Sequence, residues 1–194
     1  MSLAVAAAAL FCSFCAEGFE YIISNHGITT EAGYPYTAKD GTCKKNQPGQ
    51  QRSSPRMRAS LFCVNACTHM MLYLCSVCRG PLVAATISKF VDVAPDSETA
   101  LLQAVNVGPV SVAIEADQQC FQFYSGGILS DPSCGTQLDH GVLVVGYGTE
   151  GGKDFWIVKN SWGARWGESG YIRLIRGKNE NQCGVTSLPS YPVV

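Results

Sequence analysis

The tract from Val110 to Arg176 constrains this chain most, because it breaks into short β-patterned segments separated by turn residues. VSVAIEA is rich in β-branched residues, GVLVVGYG is an apolar run, and DFWIVKN and GYIRLIR alternate apolar with polar or mixed side chains. Between the second and third of these, TEGGKD is hairpin-turn chemistry. Strands spaced so closely predict an antiparallel sheet that curls into a barrel or half-barrel. Just upstream, PDSETALLQAVNVGP predicts a short helix. Asp96 or Ser97 can cap it, Ala100, Leu101, Ala104 and Val105 form its apolar stripe, and Gly108-Pro109 ends it.

The rest of the chain divides into three blocks. Residues 1–16 are an apolar leader, too short between Leu3 and Phe14 to span a membrane. It fits a signal-peptide core, although no Lys or Arg precedes it, and equally an apolar start without that role. Residues 17–46 read as a short helix, with Phe19, Ile22 and Ile23 at helical spacing and Asn25, His26 and Gly27 as its stop, followed by a loop. Residues 47–87 begin polar and breaker-rich and then place Cys63, Cys67, Cys75 and Cys78 in a stretch with no clean period. A hydrophobic fraction of 46% suffices for a core, and a formal charge of −1 gives no long-range attraction to nucleic acid or an anionic membrane. Ten cysteines point to disulfides in an oxidising compartment or to metal binding.

The residues able to carry chemistry lie in LDHGVLVVGYG and VKNSWGARWGESGY. His140 precedes a buried strand, and Asn160 ends the next strand across the hairpin, so an antiparallel pair would bring them together. An amide oxygen accepting from one imidazole N–H fixes the tautomer and frees the other nitrogen to act as a base, without adding charge. Trp162 could cover that hydrogen bond and keep water off it. A lone His and Asn would more often be a satisfied histidine beside a turn, but DHG, GYG, KNSWG, WGE and GY occur here in order.

Those motifs, with GPVSVAIEA, FQFYSGGI, NQCGV and SYP, resemble the C-terminal half of the papain-like cysteine proteases, closest to the cathepsin L-like group. FEYIISNHGITTEAGYPYTAKDGTC resembles a more N-terminal part of the same family. The resemblance implies an α+β, papain-like fold, with a largely present C-terminal antiparallel barrel-like R domain over residues 88–194 and a truncated helical L domain in residues 17–46. It implies His140 as the catalytic base, Asn160 as its orienter, Trp162 as the shield of that pair and Trp166 as the second tryptophan, near the leaving group. It places Ala113, Leu138, Gly141 and Leu188 in the main specificity pocket, all apolar or without a side chain. It also pairs Cys134 with Cys183. By family the substrate is a peptide or protein, no cofactor or metal is needed, cystatin-like inhibitors are candidate partners, and the compartment is secreted or lysosomal/vacuolar. Nucleic acid and membrane are not expected partners.

The same family places its nucleophile in a pattern like Q-x-x-x-x-x-C-G-S-C-W-A-F, at a helix start that lowers the thiol pKa. Cys12 and Cys15 mimic the paired cysteines, but the Trp is missing and Ala6 stands where the oxyanion glutamine belongs. The stretch then runs directly into FEYIISNHG, which the family places far downstream of its nucleophile. The expectation is therefore a chain without its nucleophile, in which Cys43 lacks its usual mate. Cys63, Cys67, Cys75 and Cys78, with His69, could be read as zinc ligands, but the middle interval is short for such sites, and an unrelated insertion over 47–87 is expected. Cys120 is expected as a buried free thiol, His26 as a solvent-exposed helix end, Arg165 and Glu168 as a solvated ion pair or loop contacts, and Met70 and Met71 as apolar filler.

Overall fold

The computed structural model describes residues 15–28, 30, 84–177 and 181–194. The leader up to residue 14 and most of residues 31–87, with Cys12, Cys43, the four cysteines of 63–78, His69, Met70 and Met71, lie outside the described residues.

Among the described residues seven strands form one sheet: β1 (Lys89–Asp92), β2 (Val110–Ile114), β3 (Ile128–Leu129), β4 (His140–Glu150), β5 (Lys153–Lys159), β6 (Tyr171–Arg176) and β7 (Ser190–Val193). Their spatial order is β1-β7-β2-β4-β5-β6-β3. The sheet has β1 and β3 at its edges, so of the barrel or half-barrel expected it is not the closed form. Every pairing is antiparallel except β3 with β6, which is parallel. Among the described residues three α-helices accompany it: α1 (Cys15–Ser24), α2 (Glu98–Val107) and the single turn α3 (Gln119–Gln122), with a 3₁₀ turn at Gln182–Gly184.

The β4–β5 hairpin turns at Gly151 and Gly152, both at positive φ (57° and 75°), which the right-handed twist of the flanking strands demands. Ser97 is the cap of α2: its side chain accepts from the Ala100 N–H over 3.2 Å. Asp96, the other candidate cap, instead accepts from Asn181 and Ser187.

Period-two alternation sends Val110, Val112 and Ile114 of β2, Val142 and Val144 of β4, Trp156 and Val158 of β5, and Ile172 and Leu174 of β6 into one core with Leu101 of α2. Each is completely buried. At about 25 cal/mol per Å² of apolar surface removed from water, this packing is the main favourable contribution to folding. A register shift between Val144 and Gly146 leaves Val145 as a bulge, so the alternation changes phase in the second half of β4.

A smaller cluster joins Phe19 and Ile22 of α1 and Ile28 to Ala85, Ile87 and Phe90, with Phe19 stacked on Phe90 at 5.8 Å. His26 (φ 58°) and Gly27 (φ 132°) terminate α1, and His26 is exposed as expected. Among the described residues no helix is long and apolar enough to cross a membrane.

Candidate active site

Strand register places the two polar residues singled out from the sequence. In the β4–β5 ladder Leu143 pairs with Lys159 and Val144 with Val158. Continued by one step, it sets Asn160 opposite Val142, so His140 and Asn160 share a face as diagonal neighbours. Their side chains meet: His140 Nε2 lies 2.9 Å from Asn160 Oδ1. The Ser161 backbone N–H donates to the same Asn160 atom over 2.7 Å. A main-chain N–H can only donate, so that atom is the amide oxygen, and the imidazole must carry its proton on Nε2. Nδ1 is then the nitrogen with a free lone pair. Asn160 is buried at 6% exposure, and its Nδ2 has no acceptor among the described residues.

Trp162 lies over this pair, with its ring centroid 5.3 Å from the imidazole and an interplanar angle of 30°. It packs edge-on against Phe121 and Trp166, at 5.5 and 5.3 Å. Burial pushes the His140 pKa below its ordinary value, against the Asn160 hydrogen bond and the negative charge of Asp139, which both favour the imidazolium. Asp139 is itself held, accepting the Ala116 N–H on Oδ1 over 2.7 Å.

The four residues assigned to a pocket are distributed as follows. Ala113 and Gly141 are direct cross-strand partners, and Ala113 is buried. Leu138 precedes β4 and packs on Gly184, where an added Cβ would come within 2.6 Å of Leu138 Cδ2. Leu188 is 51% exposed. The Cys134–Cys183 disulfide forms as the resemblance implied. It ties the segment leading into Leu138 and His140 to the 3₁₀ turn that carries Gly184.

Other expectations fare differently. Cys120 is a free thiol but only half-buried, because the one-turn helix that bears it lies at the border of the core. Arg165 is exposed, and Glu168 makes loop contacts and an ion pair with Arg173 of β6 instead. α1 begins at Cys15, whose side chain is outside the described residues. Sequence reading missed Glu115, a carboxylate 5% exposed that accepts from Gln118 and from the Gln137 N–H. Its signal was a lone acidic residue at the end of an apolar strand. Among the described residues no group of three or more His, Cys, Asp or Glu could hold a metal ion.

An imidazole held in one tautomer by a carboxamide and covered by an indole has one ring nitrogen free to accept and return a proton. The model of the family described as "Papain family cysteine protease" matches residues 12–193, and the chain belongs to that family. It is 44% identical over 180 residues to "Digestive cysteine proteinase 2" of Homarus americanus, covering 92% of this chain and 45% of that protein. Against "Cathepsin S" of Bos taurus it is 41% identical over 182 residues, covering 93% and 45%. Among solved structures, digestive procathepsin L 3 of Tenebrio molitor larval midgut superposes with a TM-score of 0.70 at 36% identity, over 94% of this chain and 49% of that one. The bromelain protease of Ananas comosus, in complex with the E64 inhibitor, superposes with a TM-score of 0.69 at 34% identity, over 96% and 75%. The chain thus spans less than half the length of these curated relatives.

Proposed function

We propose that this chain carries the base side of a cysteine endopeptidase site. In that reaction His140 Nδ1 takes the proton of a thiol, the thiolate attacks a peptide carbonyl, and the imidazolium returns the proton to the departing amine. Water then hydrolyses the thioester, with His140 again accepting the proton. Asn160 holds the tautomer, Trp162 keeps water from their hydrogen bond, and Trp166 lies toward the leaving group. Ala113, Leu138, Gly141 and Leu188 would select an apolar substrate side chain one residue upstream of the cleavage-site residue. The observation that carries this reading is the 2.9 Å contact of His140 with Asn160 beneath the Trp162 ring.

Among the described residues the thiol is the unmatched component. Cys134 and Cys183 are joined, Cys120 sits half-buried beside the core, and neither Cys12 nor Cys15 stands in the family's nucleophile pattern. We therefore read residues 88–194 as a barrel-like domain, residues 17–46 as part of a helical one, and the 194-residue chain alone as a peptide or inhibitor binder that does not cleave. Cystatin-like inhibitors fit as partners, and a secreted or lysosomal/vacuolar setting fits the disulfide.

The test is a fluorogenic peptide with an apolar residue at the pocket position, offered to the purified chain. No turnover, with saturable binding of the labelled peptide, is expected. Turnover that disappears in His140→Ala would overturn the non-cleaving assignment. Absence of both turnover and binding would overturn the binding role.

A further inference from the structure

The loop from Asn160 to Gly170 carries the indole that covers His140, yet it is fastened at the far end from the histidine. Its base is closed by the Asn160 N–H donating to the Gly170 carbonyl over 2.9 Å. Its body rests on aromatic contacts: Trp166 lies 5.0 Å from Phe121 and 5.7 Å from Tyr124, and its Nε1–H donates to the Gln122 carbonyl over 3.1 Å. Its tip is held by one side chain. Glu168 Oε2 accepts from Arg173 Nε over 2.8 Å, and Oε1 accepts from Arg173 Nη2 over 2.7 Å and from the Gly127 N–H over 2.9 Å. This two-pronged geometry is open to a guanidinium and not to an ammonium.

The anchor is itself braced. Glu150 also pairs with Arg173, whose side chain lies over the Phe155 ring at 5.3 Å. The Tyr124 hydroxyl donates to the Gly127 carbonyl over 2.6 Å and accepts from the Arg173 N–H over 3.3 Å. Both backbone polar groups of Gly127 are therefore occupied by this cluster. Among the described residues Glu168 and Arg173 form no hydrogen bond or ion pair with His140, Asn160 or Trp162. Exposed ion pairs contribute little to stability, whereas this one is two-pronged, only partly exposed and joined by Glu150. The loop it fastens to Arg173 and Gly127 is the one that bears Trp166 and Trp162, whose rings are in edge contact.

We propose that Glu168 and Arg173 are positioning residues for the base: their bidentate pair locks the Trp-bearing loop on the Gln122–Gly127 segment and so sets how completely Trp162 covers His140. The consequence for peptide cleavage rests on the function proposed above, but the coupling itself belongs to this chain and can be read without turnover. Asp139 on the same chain segment is the charged group acting on the imidazole; Asn160 and Trp162, which face it from β5 and from the loop, are neutral.

The sign of the expected effect separates this coupling from simple electrostatics. Glu168→Gln deletes a negative charge and leaves the Arg173 cation less compensated, so through-space charge alone would move the His140 pKa down. Loosening the cover readmits water to a ring whose pKa burial holds down, and moves it up. Only three histidines are present, so the imidazole C–H signals can be followed by NMR across pH, with His140→Gln identifying the resonance.

In Glu168→Gln an upward shift of about 0.3 units or more is expected, with the signal of exposed His26 unmoved. Arg173→Lys keeps the charge and loses the fork, and should shift His140 the same way. It serves as the second variant should Glu168→Gln not fold. An unchanged or lowered His140 pKa in a folded variant of either kind would overturn the proposal. Such a result would leave the peptidase reading untouched, because no turnover enters the measurement.

Discussion

Removing the Cys134–Cys183 bridge tests whether the approach to His140 is held by covalent chain closure or by packing alone. The two residues are 49 positions apart in sequence, and both are buried, at 5% and 0% exposure. Restricting an unfolded chain by a loop of that length is worth about 4 kcal/mol in the chain-entropy treatment, inside the range of about 2–5 kcal/mol for loss of a native disulfide. The local contacts argue against much compensation. The Glu115 N–H donates to the Cys183 carbonyl over 2.9 Å, and Cys134 packs against the Glu115 backbone, so the bridge sits where β2 ends and the Gln137–Asp139 segment begins. Cys134→Ala with Cys183→Ala avoids placing new hydroxyls in this buried site. The assay is urea unfolding followed by tryptophan fluorescence, with the difference in stability read from the midpoint and the slope. A loss of about 3–5 kcal/mol is expected. A loss below about 1 kcal/mol would refute the argument, because it would mean that the unfolded chain gains little freedom from the cut or that the bridge was not formed.

Three further outcomes are expected. Gly167→Ala places a side chain at φ +55° and a Cβ within 2.5 Å of the Tyr171 carbonyl oxygen, so it should cost about 1–3 kcal/mol in the same assay; a change within about 0.5 kcal/mol would contradict that geometry. Asp139→Asn removes a charge that favours the imidazolium and should lower the His140 pKa further in an NMR titration. The folded-state pKa of His140 lies below the unfolded value of about 6.5, so its contribution to stability is fully present above that pH and is lost as pH falls through the folded pKa. His140→Gln should flatten this part of the stability profile, and an unchanged profile would rule out His140 as its source.

Strands β2, β4, β5 and β6, the α2 cap and the hairpin turn could be read from sequence because each depends on local chemistry: alternation, a serine ahead of a helix, two glycines between strands. Proximity of His140 and Asn160 followed from one further step, the antiparallel pairing of consecutive strands. What could not be read has no local signature. β3 is two residues long and pairs in parallel with a strand more than forty residues away, which no short periodicity announces. The Val145 bulge lies inside an unbroken apolar run, where one extra residue changes nothing in the pattern. Glu168 and Arg173 are both ordinary charges in sequence; Arg165 is nearer to Glu168 along the chain, but the partner is Arg173 of β6.

The position of His140 follows from these unequal sources. It is the first residue of β4, so the ladder holds it from one side of the chain only. Its face is fixed by the core: Val142 and Val144 are wholly buried, and a one-residue slip would take both out of that core and turn His140 to the opposite side. The bulge comes after Val144 and so leaves this part of the register unaffected. Register, however, sets only the Cα. The ring orientation depends on Asn160, one residue beyond β5, and the cover depends on a loop that starts at that residue. The end of a strand is where an imidazole can face a cleft, and it is also where the ladder stops enforcing position. The carboxamide, the Asp139 strap and the Glu168–Arg173 lock on the loop supply through side chains the constraint that the ladder no longer provides.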